Sequence, residues 1–280
     1  MLELCRAFLN ENRFSEIKGS AYRSNSKIVV NPKRELVDLD LLPSPDYEQL
    51  PIEKYNDPIT KNRPYMAIIS SRGCPFKCKF CVAPQVLYGH KVRYRNPKKV
   101  VDEIELLKNK FGVKEIFFDD ATFTLNKKHV FSICSELKSR GIKIDWSCFG
   151  RSDLVTEETL RVMKDAGCYL LRYGLETLNN QILKEMGKNL TVEDVKKSLE
   201  ITKRLGLRIH ITVMFGYPGE TKETIRKSIE FIKNADVDYA QFSIAIPYPG
   251  TMFYEEMKKQ NRLISNNWSD YDGTCKTVIK

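Results

Sequence analysis

Six short apolar runs alternate with amphipathic helical patterns from Tyr65 onward, which assigns the chain to the α/β class with a parallel sheet and crossover helices. Glycines support the assignment. Gly112, Gly141, Gly167 and Gly206 each stand just before a strand, where a helix ends best in a left-handed cap. Length and composition allow it: 280 residues at 42% hydrophobic content supply the core of one large α/β unit or two small domains. Six strand–helix units are two short of a closed eight-fold barrel.

The first 64 residues differ from the rest. Leu2 to Leu9 reads as the end of an amphipathic helix, and Tyr22 to Val30 as a hairpin around Ser24-Asn25-Ser26. Leu39 to Tyr47 is a proline-punctuated linker that cannot form a regular helix. Prolines at 32, 43, 45, 51, 58 and 64 separate apolar runs too short to offset the entropy of ordering. Residues 1–64 therefore read as an extension that proteases cut before the barrel.

Strands are expected at Met66–Ser71, Glu115–Phe118, Lys143–Phe149, Cys168–Leu175, Arg208–Phe215 and Tyr239–Ile246. Helical faces appear at Val100/Ile104/Leu107, Val192/Val195/Leu199 and Ile225/Ile229/Ile232. The repeating unit covers residues 65–255, and 256–280 reads as a C-terminal tail. Residues 77–96 make too long a connection for an ordinary strand-to-helix loop, a sign of function.

Net charge is +10, yet the lysines are interleaved with acids along helix faces, which argues for solvated surface and against nucleic acid. The tightest basic stretch is Lys91 to Lys99. No apolar run approaches a membrane span, and the N-terminus lacks the pattern of a secretory signal. Cys5, Cys134, Cys148, Cys168 and Cys275 are scattered, as free thiols in a reducing cytoplasm would be.

The other three cysteines are concentrated. Cys74, Cys78 and Cys81 stand in Cys-x3-Cys-x2-Cys spacing, and three thiolates can hold three corners of a [4Fe–4S] cluster with one iron open. A structural zinc site is the alternative, but it wants four ligands, and no fourth cysteine or histidine stands at finger spacing. Polar residues at the carboxyl ends of the strands are the next candidates, because chemistry gathers there. They are Asp119 and Asp120, of which one should face the cleft; Arg151, which could fork onto a carboxylate or pair with Asp153; and Glu176. Gly216 and Gly219 permit close backbone approach to a flat ligand or simply a turn, and Pro247 and Pro249 stiffen the last loop.

The cysteine spacing, with Phe80 before the last cysteine and Met66–Ser71 before the motif, resembles the signature of the radical S-adenosylmethionine (radical SAM) enzymes. The strand-end elements are similar to that family's in order and spacing across about residues 65–255. The resemblance is strongest to the cobalamin-dependent class, whose linkers look like Asp40 to Tyr47 and whose strand ends look like Gly216-Tyr217-Pro218-Gly219-Glu220 and Pro247-Tyr248-Pro249-Gly250-Thr251. That class carries a cobalamin domain before the linker. Here residues 1–38 read as the tail of such a domain, and no Asp-x-His-x-x-Gly motif accompanies His90, His129 or His210. A fragment, a split gene product and a cobalamin-independent relative all stay open.

The resemblance implies a partial (βα)6 TIM-like barrel, open on one side to admit substrate. It implies a [4Fe–4S] cluster on Cys74, Cys78 and Cys81, and S-adenosylmethionine chelated at the open iron. Reductive cleavage would give a 5′-deoxyadenosyl radical that abstracts hydrogen from a small organic substrate. Phe80, Asp120, Arg151, Glu176 and Gly216 are the expected cofactor shell. An external flavodoxin- or ferredoxin-type electron donor is implied. Cobalamin supplied by another domain or chain would permit methylation; without it, oxidation, cyclisation or rearrangement. A transfer-RNA methylthiotransferase and a non-enzymatic cluster-binding protein are the other readings.

Overall fold

The computed structural model describes residues 2–9, 13–273 and 276–280, so Cys275 lies outside the described residues. The chain divides into two compact units, Met1–Leu42 and Pro43–Lys280.

The first unit holds α1 (Leu2–Leu9) and an antiparallel hairpin of β1 (Ala21–Ser24) and β2 (Lys27–Val30). Asn25 and Ser26 take φ of 45° and 64°, the left-handed pair that a two-residue hairpin turn requires. The Asn31 amide ties the unit together by donating to the carbonyls of Phe14 and Ile17.

The second unit begins with segments that cover the sheet and then enters it. Its elements are β3 (Tyr65–Ile68), β4 (Ser71–Arg72), β5 (Arg93–Tyr94), α2 (Pro97–Phe111), β6 (Glu115–Phe118), α3 (Lys127–Ser139), β7 (Asp145–Gly150), α4 (Glu157–Asp165) and β8 (Cys168–Glu176). There follow α5 (Asn180–Glu185), α6 (Val192–Arg204), β9 (Arg208–Phe215), α7 (Lys222–Asn234), β10 (Tyr239–Ile244) and α8 (Met252–Lys259). Six strands form one sheet in the order β10-β9-β8-β7-β6-β3, and every neighbouring pair is parallel. This is the expected partial barrel.

Local chemistry explains the element ends. Asn126 caps α3 by accepting from the His129 amide, and the capping boxes of Thr191 and Thr221 start α6 and α7. Gly167 turns into β8 at φ 101°; a Cβ there would lie 2.3 Å from the Ile144 carbonyl oxygen, so only glycine lets the two chains pass. Val100, Ile104 and Leu107 are fully buried against the sheet, as are Cys134 and Cys148. The α7 face is less complete. Ile229 remains 36% exposed, because its sheet neighbour β10 is the edge strand and Phe242 on it is itself 50% exposed.

Two expected boundaries move. Residues 43–64 are not part of a loose extension. Tyr47 and Ile52 are buried in the same core as Val100, Val101 and Ile104, and the Tyr47 hydroxyl donates to the buried Glu103 carboxylate, which also pairs with Arg95 at 2.5 Å. Two short 3₁₀ turns, Tyr47–Gln49 capped by Asp46 and Ile52–Lys54 following Pro51, carry this segment without a regular helix. Residues 256–280 are not a separate tail either. Helix α8 crosses residue 256, and Val278 and Ile279 are buried. The strand boundary at Ser71 also changes: the backbone leaves the main sheet after Ile68 and pairs Ser71 with Tyr94 in a two-residue antiparallel ladder. Among the described residues, no helix is long and apolar enough to cross a membrane.

Tyr47→Ala removes both a buried ring and the partner of Glu103, so it should cost about 3–5 kcal/mol in urea unfolding. Limited proteolysis followed by mass spectrometry should place the early cuts before residue 43 and leave 43–64 as resistant as the barrel; early cuts at 45–64 would contradict this packing.

Candidate active site

All three motif cysteines line one cavity of about 430 Å³ at the carboxyl ends of the strands. A larger hollow of about 830 Å³ lies at the opposite end, among segments such as Lys114, Lys143 and Gly167 that precede strands, and none of the motif residues reaches it. Parallel sheets gather chemistry at the carboxyl end, so the smaller cavity is the candidate site.

The cysteine loop is held on several sides. Asp120, wholly buried, accepts from the Ser70 amide (3.1 Å), the Ser70 hydroxyl (2.9 Å) and the Ser71 hydroxyl (2.5 Å). Gly73 runs beneath the Lys91 carbonyl so closely that a Cβ would stand 2.4 Å from its oxygen. The Gln85 amide donates to the carbonyls of Cys78, Lys79 and Cys81 at 2.9–3.1 Å. From the far side the Lys79 amide donates to the Met186 carbonyl at 2.8 Å, and the Phe253 amide donates to the Lys79 carbonyl at 3.0 Å.

Burial pushes the Cys78 thiol up, and the nearby cations Lys188 and Arg151 pull it back; burial pushes Cys81 up to about 11. A cationic centre is what would hold such thiols as thiolates. Three thiols on one cavity wall, beside two cations, fit an iron–sulfur cluster by donor chemistry and by field.

Glu176 and Lys188 form a buried ion pair on the cavity wall, 8% and 7% exposed. Glu176 sits where the β8–β9 register breaks, at φ 62°, and this left-handed turn costs on the order of 1 kcal/mol. Gly174 makes room for the pair, since a Cβ there would lie 2.5 Å from Glu176 Oε1 and 2.6 Å from Lys188 Nζ. Lys188 is positioned in turn by Arg151, whose Nη2 donates to the Lys188 and Asn189 carbonyls. Arg151 Nε also pairs with Asp153 at 2.7 Å, and its guanidinium stacks 3.7 Å over Phe76.

Of the expected shell, Phe80, Arg151 and Glu176 line the cavity. Two residues do not. Asp120 points away, spent on Ser70 and Ser71; the aspartate at the cavity is Asp119, because successive residues of an extended strand face opposite sides. Gly216 is also absent from the lining, and its amide donates to the Glu220 carboxylate at 2.5 Å to close a turn. Lys188, Arg172 and Thr122 were not picked out by sequence reasoning. Lys188 lies beyond a helix, twelve residues from its partner, and nothing in one-dimensional spacing marks it. Arg172 points into the cavity, held by Asp57 at 3.3 Å and stacked over Phe117; its inward position in an alternating strand was the available signal.

Because the Glu176–Lys188 pair is buried, Glu176→Gln and Lys188→Met should each destabilise the protein, with a coupling of about 1–3 kcal/mol in a double-mutant cycle read by urea unfolding. Strict additivity would mean that the two side chains act independently.

The comparisons with known proteins agree with this geometry. Residues 68–232 match the radical SAM superfamily. An uncharacterized methyltransferase of Pyrococcus horikoshii is 35% identical over 279 residues, 99% of this chain and 60% of that protein. The anaerobic magnesium-protoporphyrin IX monomethyl ester cyclase of Rubrivivax gelatinosus is 29% identical over 92% of this chain and 47% of its own length. The chain thus spans about half the length of these relatives. In fold it is similar to the radical S-adenosylmethionine methyltransferase TsrM of Kitasatospora setae, solved with cobalamin and a [4Fe–4S] cluster bound: TM-score 0.74, 21% identity, 92% of this chain and 52% of that one. With its cysteine triad, open parallel half-barrel and matching family profile, the chain belongs to the radical SAM superfamily of enzymes, whose cofactors are a [4Fe–4S] cluster and S-adenosylmethionine.

Proposed function

We propose that this chain is the radical-generating part of a methyltransferase that works with cobalamin carried by another domain or chain, on a small organic substrate. The observation that carries the reading is the convergence of Cys74, Cys78, Cys81, Glu176 and Lys188 on one cavity. The methyltransferase relative and the cobalamin-bound structural neighbour support the choice of reaction.

Cys74, Cys78 and Cys81 would hold the cluster. Lys188 offers a cation to a cofactor carboxylate, and Glu176 offers an acceptor to an ammonium or a ribose hydroxyl. Phe80 supplies an apolar wall for the adenine. When bound, cluster and S-adenosylmethionine together supply one-electron cleavage to methionine and a 5′-deoxyadenosyl radical. The chain's own residues orient the cofactor and keep water from it. The electron comes from an external donor of the flavodoxin or ferredoxin class. The cyclase relative marks the competing outcome, hydrogen abstraction without methyl transfer.

Anaerobic reconstitution should load about four iron atoms per chain. Cys74→Ala, Cys78→Ala and Cys81→Ala should each abolish the visible absorbance, and Cys134→Ala should preserve it. Full loading of the triple variant would refute the cluster assignment. With a reductant and S-adenosylmethionine the holoprotein should form 5′-deoxyadenosine. The methyltransferase reading further requires S-adenosylhomocysteine when cobalamin is added with its carrier domain. 5′-Deoxyadenosine alone would move the assignment to cobalamin-free hydrogen abstraction.

A further inference from the structure

Thr122 and Cys74 face each other inside the cavity, 9% and 8% exposed, with Thr122 Oγ1 3.8 Å from Cys74 Sγ. The Thr122 hydroxyl donates to the Ala121 carbonyl at 2.7 Å. A cysteine bound to iron is a thiolate and can only accept. The threonine hydroxyl is a rotor, so the same oxygen can turn its proton from Ala121 to the sulfur without moving its own chain.

The approach is fixed by the scaffold. Asp120, two residues before Thr122, holds Ser70 and Ser71, four and three residues before Cys74. The segment that bears the donor is therefore bolted to the loop that bears the acceptor. Ser71 is also paired to Tyr94, and Gly73 is pressed beneath Lys91, so the loop cannot withdraw.

We propose that Thr122 is a positioning residue that donates a hydrogen bond to the Cys74 thiolate and raises the reduction potential of the cluster. The proposal rests on the cluster assignment above. A donor to a ligand sulfur stabilises the more electron-rich, reduced cluster more than the oxidised one, and such bonds are among the protein's levers on cluster potential.

The test is a redox titration of the reconstituted holoprotein, followed by electron paramagnetic resonance, on the wild type, Thr122→Val and Thr122→Ser. Valine keeps the shape and removes the donor; serine keeps the donor. At a fixed poise the reduced-to-oxidised ratio should fall about five- to tenfold in Thr122→Val and stay near wild type in Thr122→Ser, a difference between the two redox states about the size of one ordinary hydrogen bond. Iron content should be the same in all three. Equal potentials and spectra in the valine variant would overturn the proposal while leaving the cluster assignment intact. If valine prevents loading, Thr122→Ala, which cannot clash, takes its place. Failure of both to load while serine loads would assign Thr122 a structural role and overturn the tuning role. An iron-free wild type would instead remove the cluster reading itself.

Discussion

One buried carboxylate ties the chemistry to the sheet. Asp120 lies two residues beyond β6 and spends both oxygens on Ser70 and Ser71, which lead into the cysteine loop. Burial pushes this carboxyl up to about 6, and the donors from Ser71 and Ser70 oppose the shift. A wholly buried acid is costly unless its acceptors are filled, and here they are. Without such a tether the loop from Lys77 to Asn96 would have to order itself, with little apolar surface of its own. The remaining braces, from Gln85, Met186 and Phe253, act on a loop whose origin Asp120 has already set.

The cavity is electrostatically arranged. Each lining cation has a carboxylate partner: Arg151 with Asp153, Lys188 with Glu176, Arg172 with Asp57. Paired cations stay where they are placed, which suits a site that must orient a charged cofactor within a small tolerance. Asp119 is different. Its side chain makes no hydrogen bond or ion pair among the described residues, and burial raises its carboxyl while Arg172 opposes the shift. A carboxylate left without a protein partner beside a cavity is available to a ligand.

The shape of the half-barrel follows from strand count. Six parallel strands cannot close, so β10 keeps an exposed edge and an exposed outer face at Phe242.

Much of this was legible in the residue order. Alternating periodicities determined the six strands, and Arg208–Phe215 and Glu115–Phe118 fall where the pattern places them. Cysteine spacing marked Cys74, Cys78 and Cys81 as one group, and the three line one cavity, because thiols on one short loop need no distant partner to be recognised. Only the tertiary structure decided which aspartate faces the cavity, since that depends on where β6 stops and which serines lie opposite. It also decided that residues 43–64 belong with the barrel, because Tyr47 finds Glu103 across 56 residues of chain. Lys188 became part of the site only when the turn after α5 brought it over Gly174 to Glu176. Periodicity and spacing are short-range signals carried by the chain itself, whereas charge pairing is a matter of distance in space.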